Sequence, residues 1–174
     1  MDVTFLAESL PIQVMEAAVV LVDRSQSIEA LYRQDADRLW RAVHAFAGDP
    51  DIASEAVADA YAQAIRRGPA VRDPAGWIWR TAFRIAAGAL KERRTDDGRA
   101  ADPGEHMDRY EDPDLRAALW RLPDAQRAAI ILFYYADLPI RDIAARLGSN
   151  SLAVRANLSR GRRRLHDLLG ERHD

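Results

Sequence analysis

LPIRDIAARLGSNSLAVRANLSRGRRRLHDLL, residues Leu138 to Leu169, holds two helical patterns around one glycine and then a dense run of arginine. In the first pattern Ile140, Ile143, Ala144 and Leu147 fall at helical spacing, and Gly148 stands where a helix ends in a left-handed residue. Ser149 or Asn150 is placed to cap the next helix. There Val154, Leu158, Gly161, Leu165 and Leu168 recur at steps of four and three, which predicts one narrow buried stripe. Ser151, Arg155, Asn157, Arg160, Arg162, Arg163 and Arg164 lie mostly off that stripe and are the candidate contacts to polyanion. Small residues such as Ala144 suit a close crossing of two helices. The stretch therefore reads as a DNA-binding helix-turn-helix.

Moving upstream, Leu122-Pro123 predicts a helix start, since proline fits the first helical turn, and that helix carries Ala128, Ile131, Leu132 and Tyr135 toward the helix-turn-helix. A preceding helix is expected over Asp114 to Arg121. Residues 95–113 hold Asp, Gly and Pro with almost no apolar side chains, the composition of a flexible acidic linker. Before it, three helical segments are expected. Ile28 to Ala47 carries Ile28, Leu31, Tyr32, Leu39, Trp40, Val43 and Phe46 inward and is stopped by Gly48-Asp49-Pro50.

The second segment runs from about Ile52 to Arg67 and buries Ala56, Val57, Ala60, Tyr61, Ala64 and Ile65. Asp51, Glu55 and Asp59 stack at four-residue intervals on another side, as a solvated face or a docking strip for a basic partner. The third reaches from Pro74 to about Arg94, with Ile78, Ala82, Ile85, Ala86 and Ala89 inward. Trp79, Arg80, Phe83, Arg84 and Lys91 mix aromatic rings with cations, the combination that stacks bases and holds phosphates of single-stranded nucleic acid, provided the face is exposed. Trp77 at the start of the same helix reads as core.

No alternating strand pattern, internal repeat or glycine-rich phosphate loop occurs. The expected fold is all-α: two small helical domains joined by a flexible acidic linker, over 28–94 and 114–174, preceded by an extension over 1–27. The extension is neither a secretory signal nor a membrane span, because its apolar run is short and its leading residues are acidic. It is either a short helix on the body or a segment upstream of a start at Met15.

Net charge is −2, yet the chain alternates in sign: −7 over residues 1–65, +6 over 66–94, −6 over 95–114 and +5 over 115–174. Two basic zones are the electrostatic footprint of two nucleic-acid faces. Lys91 is the single lysine, so the positive charge is almost all guanidinium, which forks onto phosphates and base edges. With no cysteine, the chain has no disulfide or thiolate metal site, compatible with a cytoplasmic setting. His44, His106, His166 and His173 lack ligand spacing and read as structural or surface residues. No catalytic constellation, metal site or cofactor loop is expected, and so no enzyme.

These residues resemble a family over about Ile28 to Leu169. Leu122-Pro123, Gln126-Arg127, Tyr134-Tyr135, Leu138, Ile143-Ala144, Leu147-Gly148, Val154, Leu158-Ser159-Arg160 and Arg162-Arg163-Arg164-Leu165 follow in register the pattern of bacterial RNA polymerase sigma factors of the extracytoplasmic-function type. Gly48-Asp49, Ala53-Ser54-Glu55, Val57, Asp59, Tyr61, Pro74, Trp77-Ile78 and Arg80 match more loosely. The resemblance implies a non-catalytic subunit that binds core RNA polymerase and promoter DNA, with an anti-sigma protein as a further partner and no membrane insertion. Asp51, Glu55 and Asp59 would dock on polymerase. The helix from Trp77 to Arg94 would hold the −10 element, and the helix from Ser151 would enter the major groove at the −35 element.

Departures bear on specificity: Ala58 stands where the family usually has glutamine, Arg84 where asparagine is common and Gly88 where aspartate is usual. Pro139 replaces a capping serine, and Asn157 a frequent arginine. Base readout then leans on Ser151, Arg155 and Asn157. The competing reading is an ordinary helix-turn-helix regulator with an N-terminal partner-binding domain. It gives no reason for an acidic strip followed by a basic, aromatic helix.

Overall fold

A computed structural model describes residues 12–96 and 112–170. Seven helices in these segments make an all-α fold: α1 (Ile12–Ala47), α2 (Pro50–Arg67), α3 (Pro74–Asp96), α4 (Pro113–Trp120), α5 (Asp124–Ile130), α6 (Ile140–Leu147) and α7 (Ser151–Gly170). A 3₁₀ turn, Gly68–Ala70, follows α2, and a π-helical turn, Ile131–Tyr135, extends α5. The expected boundary at residue 27 falls inside α1, which is one continuous helix. Of the acidic stretch expected as a linker, residues 97–111 lie outside the described residues, as do residues 1–11, His106 and His173.

Local chemistry sets the helix ends. Asp49 caps α2: its Oδ1 accepts from the amides of Asp51 at 2.8 Å and Ile52 at 3.0 Å, while its Oδ2 takes a guanidinium hydrogen bond from Arg93 of α3. Burial by itself raises the Asp49 pKa, but the Ile52 amide, the Arg93 guanidinium and the Asp51 amide outweigh it and hold the carboxyl below its ordinary value. Asp112 caps α4 in the same way. Gly48 and Gly148 both adopt positive φ, at 63° and 64°. At Gly148 the amide of Ser149 donates to the Ala144 carbonyl at 2.8 Å and that of Gly148 to Ala145, the double closure that glycine permits after a helix. Of the two candidate caps for α7, Asn150 takes the role, its Oδ1 accepting from the Ala153 amide at 2.8 Å.

Helices α1, α2 and α3 bundle through Leu39, Val43, Phe46, Ala53, Ala60, Ile78 and Ala82. Helices α4 to α7 gather around Ile130, Ile131, Leu132, Ile143, Val154 and Leu158, and Gly161 brings α7 close to Ile130 of α5. The two groups share one continuous apolar core. Where they meet, the ring of Trp120 lies against Gly48, and Arg127 of α5 is wholly buried with its guanidinium 4.7 Å from the Phe46 ring and 4.6 Å from the Trp120 ring. His44 stacks on Trp40, with ring centroids 4.9 Å apart, and His166 is exposed.

Candidate nucleic-acid interface

Helix α7 is straight in its logic: Val154, Leu158, Gly161 and Leu168 are buried, and Leu165 is half-buried. At 3.6 residues per turn this stripe sends Arg155 and Arg162 to one flank, Asn157, Arg160 and Arg164 to the other, and Arg163 to the far side. The five arginines Arg155, Arg160, Arg162, Arg163 and Arg164 are exposed, while Ser151 and Asn157 are half-buried. Three of these side chains are engaged within the fold. Arg160 donates to Asn157 Oδ1 at 2.9 Å, and Arg162 donates to the Tyr134 hydroxyl at 3.3 Å. Arg155 has no such tether among the described contacts and sits one turn from the helix start. Sequence reasoning missed Leu152, which is 76% exposed on the outward side of the same first turn. An apolar side chain at that position suits the methyl group of thymine in a major groove.

On α3 the candidate cations Arg80, Arg84 and Lys91 are exposed, but the aromatic residues expected beside them are not on the surface. Phe83 is 5% exposed and Trp79 1%. This corrects the expected basic and aromatic face. Helix α3 packs against α1, α2 and α6 at once, so Trp79, Phe83, Ala86 and Leu90 form a second buried stripe beside Ile78 and Ala82. Phe83 meets Phe46 at 5.2 Å between ring centroids. Trp77 is half-buried, with the Arg67 guanidinium 5.4 Å from its ring.

The Trp79 ring is covered from the other half of the chain. Its Nε1 donates to Asp35 Oδ2 at 2.5 Å, and the guanidinium of Arg146 on α6 lies 4.3 Å from the ring centroid. Arg146 Nη1 is also 3.5 Å from the same Asp35 oxygen. Arg80 lies along Gly148, where an added Cβ would come within 2.6 Å of Arg80 Cδ. Arg38 of α1 completes the contact by donating to the Ala136 carbonyl at 2.8 Å.

The acidic strip is on the surface: Asp51, Glu55 and Asp59 are all exposed on α2. Beside it, α1 and α2 enclose an open apolar groove of about 810 Å³, lined by residues that include Tyr32, Trp40, Val57, Ala58, Tyr61 and Ile65. Tyr32 and Ile65, expected in the core, are more than half exposed at its rim. Burial first, then the charge of Asp35 and the neighbouring Tyr32, push the Tyr61 hydroxyl up to about 12, so it remains a neutral donor facing the Leu31 carbonyl. No helix among the described residues is long and apolar enough to cross a membrane.

Residues 113–165, spanning α4 to most of α7, match the family described as Sigma-70, region 4. The chain is 27% identical over 160 residues to the ECF RNA polymerase sigma factor SigE of Mycolicibacterium smegmatis, covering 83% of this chain and 62% of that protein, so it spans less than two thirds of that relative's length. It is 26% identical to the ECF RNA polymerase sigma factor SigK of Mycolicibacterium vanbaalenii, covering 84% of this chain and 83% of the other. The fold is similar to that of the sigma factor RpoE in its complex with the anti-sigma factor NepR from Bartonella quintana, with TM-score 0.64, 20% identity, 83% of this chain and 98% of that one covered. With the region 4 match on its helix-turn-helix half and relatives aligned along both halves, the chain is similar to the RNA polymerase sigma factors of the extracytoplasmic-function type.

Proposed function

We propose that this chain binds core RNA polymerase and directs promoter recognition and DNA opening at a subset of promoters, acting in the cytoplasm and without catalysis of its own. The observation that carries the reading is the combination, on one chain, of an exposed acidic strip beside an apolar groove and an arginine-lined recognition helix. An ordinary regulator needs the second and has no use for the first.

The roles divide by chemistry. Asp51, Glu55 and Asp59, with the groove between α1 and α2, dock on a basic and apolar surface of polymerase. Helix α7 enters the major groove at the −35 element, where Ser151, Arg155 and Asn157 reach base edges and Leu152 meets a thymine methyl. Arg160, Arg162, Arg163 and Arg164 hold phosphates, which gives affinity and salt dependence with little sequence information. Arg80, Arg84 and Lys91 contact the −10 strand, and Trp79 joins them only when α6 is displaced. Phe83, locked in the α1–α3 core, supports that helix from within. The divisions at 28–94 and 114–174 are then functional halves, with 95–113 passing between them on polymerase. An anti-sigma protein is a further partner, in keeping with the complexed state of the RpoE neighbour.

Binding to purified core polymerase tests the docking claim. The chain is expected to form a stable complex on size-exclusion chromatography, and Glu55→Ala with Asp59→Ala is expected to weaken it. Normal binding by the double variant would reduce the strip to a solvated face.

A further inference from the structure

We propose that the Trp79–Arg80 face of α3 is a shared surface, occupied by α6 of the helix-turn-helix half in the resting chain, so that α6 and single-stranded DNA exclude one another there. The proposal rests on the reading of α3 as the −10 side. A base stacking on Trp79 needs the flat face of the ring, and the planar guanidinium of Arg146 already lies over that face at 4.3 Å. Arg80, the adjacent cation, has its aliphatic stem laid on Gly148, so its side chain too is committed to the helix-turn-helix half. The turn that presents α7 to the major groove is thus the part of the chain that shuts α3.

The contact is built to be reversible. Its centre is polar: Asp35 Oδ2 serves both the Trp79 indole at 2.5 Å and Arg146 at 3.5 Å, and both charged side chains keep about a fifth of their surface in solvent. Arg146 Nη1 is buried but makes no hydrogen bond among the described residues, so release returns an incompletely satisfied cation to water. Arg146 acts here as a positioning residue with Asp35 as its partner, and Arg38 ties α1 to the Ala136 carbonyl separately.

The chain has no cysteine, so a spin-label pair at Arg66→Cys on α2 and Ala145→Cys on α6, both exposed positions, reports the distance between the halves without background. In the otherwise unaltered chain the distribution is expected to be narrow, and an excess of a mixed-sequence single-stranded 12-mer should widen it. Arg146→Ala should widen it without DNA and bind the fluorescein-labelled oligonucleotide about tenfold tighter, the scale of one lost cation–π and ion-pair contact, even though the variant has lost a positive charge. Arg141→Ala removes the same charge from the exposed side of α6 and should bind no tighter. Asp35→Asn keeps an acceptor for the indole and removes the ion pair, so it tests the same release should Arg146→Ala fail to fold.

Unchanged distances in both variants overturn the proposal. Widened distances with no gain in oligonucleotide binding also overturn it and place the fault in reading α3 as a nucleic-acid face, while the polymerase-binding measurement on α2 stands apart from either outcome.

Discussion

The guanidinium of Arg127 lies 4.7 Å from the ring of Phe46, which builds a cation from the helix-turn-helix half into the core of the first helix. Trp120 closes the other side at 4.6 Å, and Asp124 Oδ1 accepts from Arg127 Nη2 at 2.8 Å. By resemblance Arg127 belongs to the Gln126-Arg127 family motif, and its burial makes it a structural side chain. Arg127→Ala is expected to cost about 2–4 kcal/mol in urea unfolding through the cavity and the lost ring contacts. Arg127→Met, which keeps apolar volume, should cost less. An alanine variant of unaltered midpoint would contradict this.

Gly48 and Gly148, both at positive φ, should respond unequally to alanine. Gly148→Ala is expected to cost about 1–2 kcal/mol for its backbone, because the stem of Arg80 that it meets is flexible. Gly48→Ala faces the same backbone cost and in addition sets its Cβ 2.2 Å from the Trp120 ring, so about 1–3 kcal/mol more is expected from overpacking. Thermal or urea unfolding of the pair decides the order, and equal losses would mean that Trp120 yields freely.

Asp49 makes stability depend on pH in one direction. Its carboxyl titrates below its ordinary 3.8 in the folded chain, so its stabilisation is fully present above that value and is lost as pH falls through the lowered one. Asp49→Ala is expected to cost about 1 kcal/mol near neutrality. The gap between variant and parent should shrink in unfolding curves taken progressively below 3.8. A gap constant with pH would show that the cap works without its charge.

The first turn of α7 should carry sequence information and its arginine run should not. Replacing thymine by uracil in the −35 duplex removes only a methyl group, and it should weaken binding at one position for the parent but not for Leu152→Ala. Arg155→Ala should cost about 1–3 kcal/mol at its preferred base, while Arg163→Ala should weaken all sequences evenly and lower the salt slope by about one. Polymerase-bound chain on fluorescent promoter fragments provides the assay.

Much of this architecture is legible in the residues. The Val154–Leu158–Gly161 stripe, Gly148 and the caps locate the helix-turn-helix because each obeys a local rule of spacing or backbone geometry. The surface position of Asp51, Glu55 and Asp59 follows from the apolar stripe beside them. What escaped depends on contacts distant in sequence. Trp79 and Phe83 among arginines fit a base-stacking face and a buried second stripe equally well, and only the arrival of Arg146 over Trp79 and of Phe46 against Phe83 decides between them. Tyr32 and Ile65 keep core spacing yet line a groove, since periodicity cannot tell whether a neighbouring helix closes the gap. The π turn at Ile131–Tyr135 left no local signal we can identify.

The central claim is promoter-specific initiation, and run-off transcription measures it most directly. Purified core polymerase with this chain and a library of genomic promoter fragments should yield discrete transcripts from a subset of fragments, absent without the chain and lost with the Glu55→Ala and Asp59→Ala double variant. No specific transcript from any fragment, together with tight binding of free duplex by the chain alone, would contradict the account and favour an ordinary helix-turn-helix regulator.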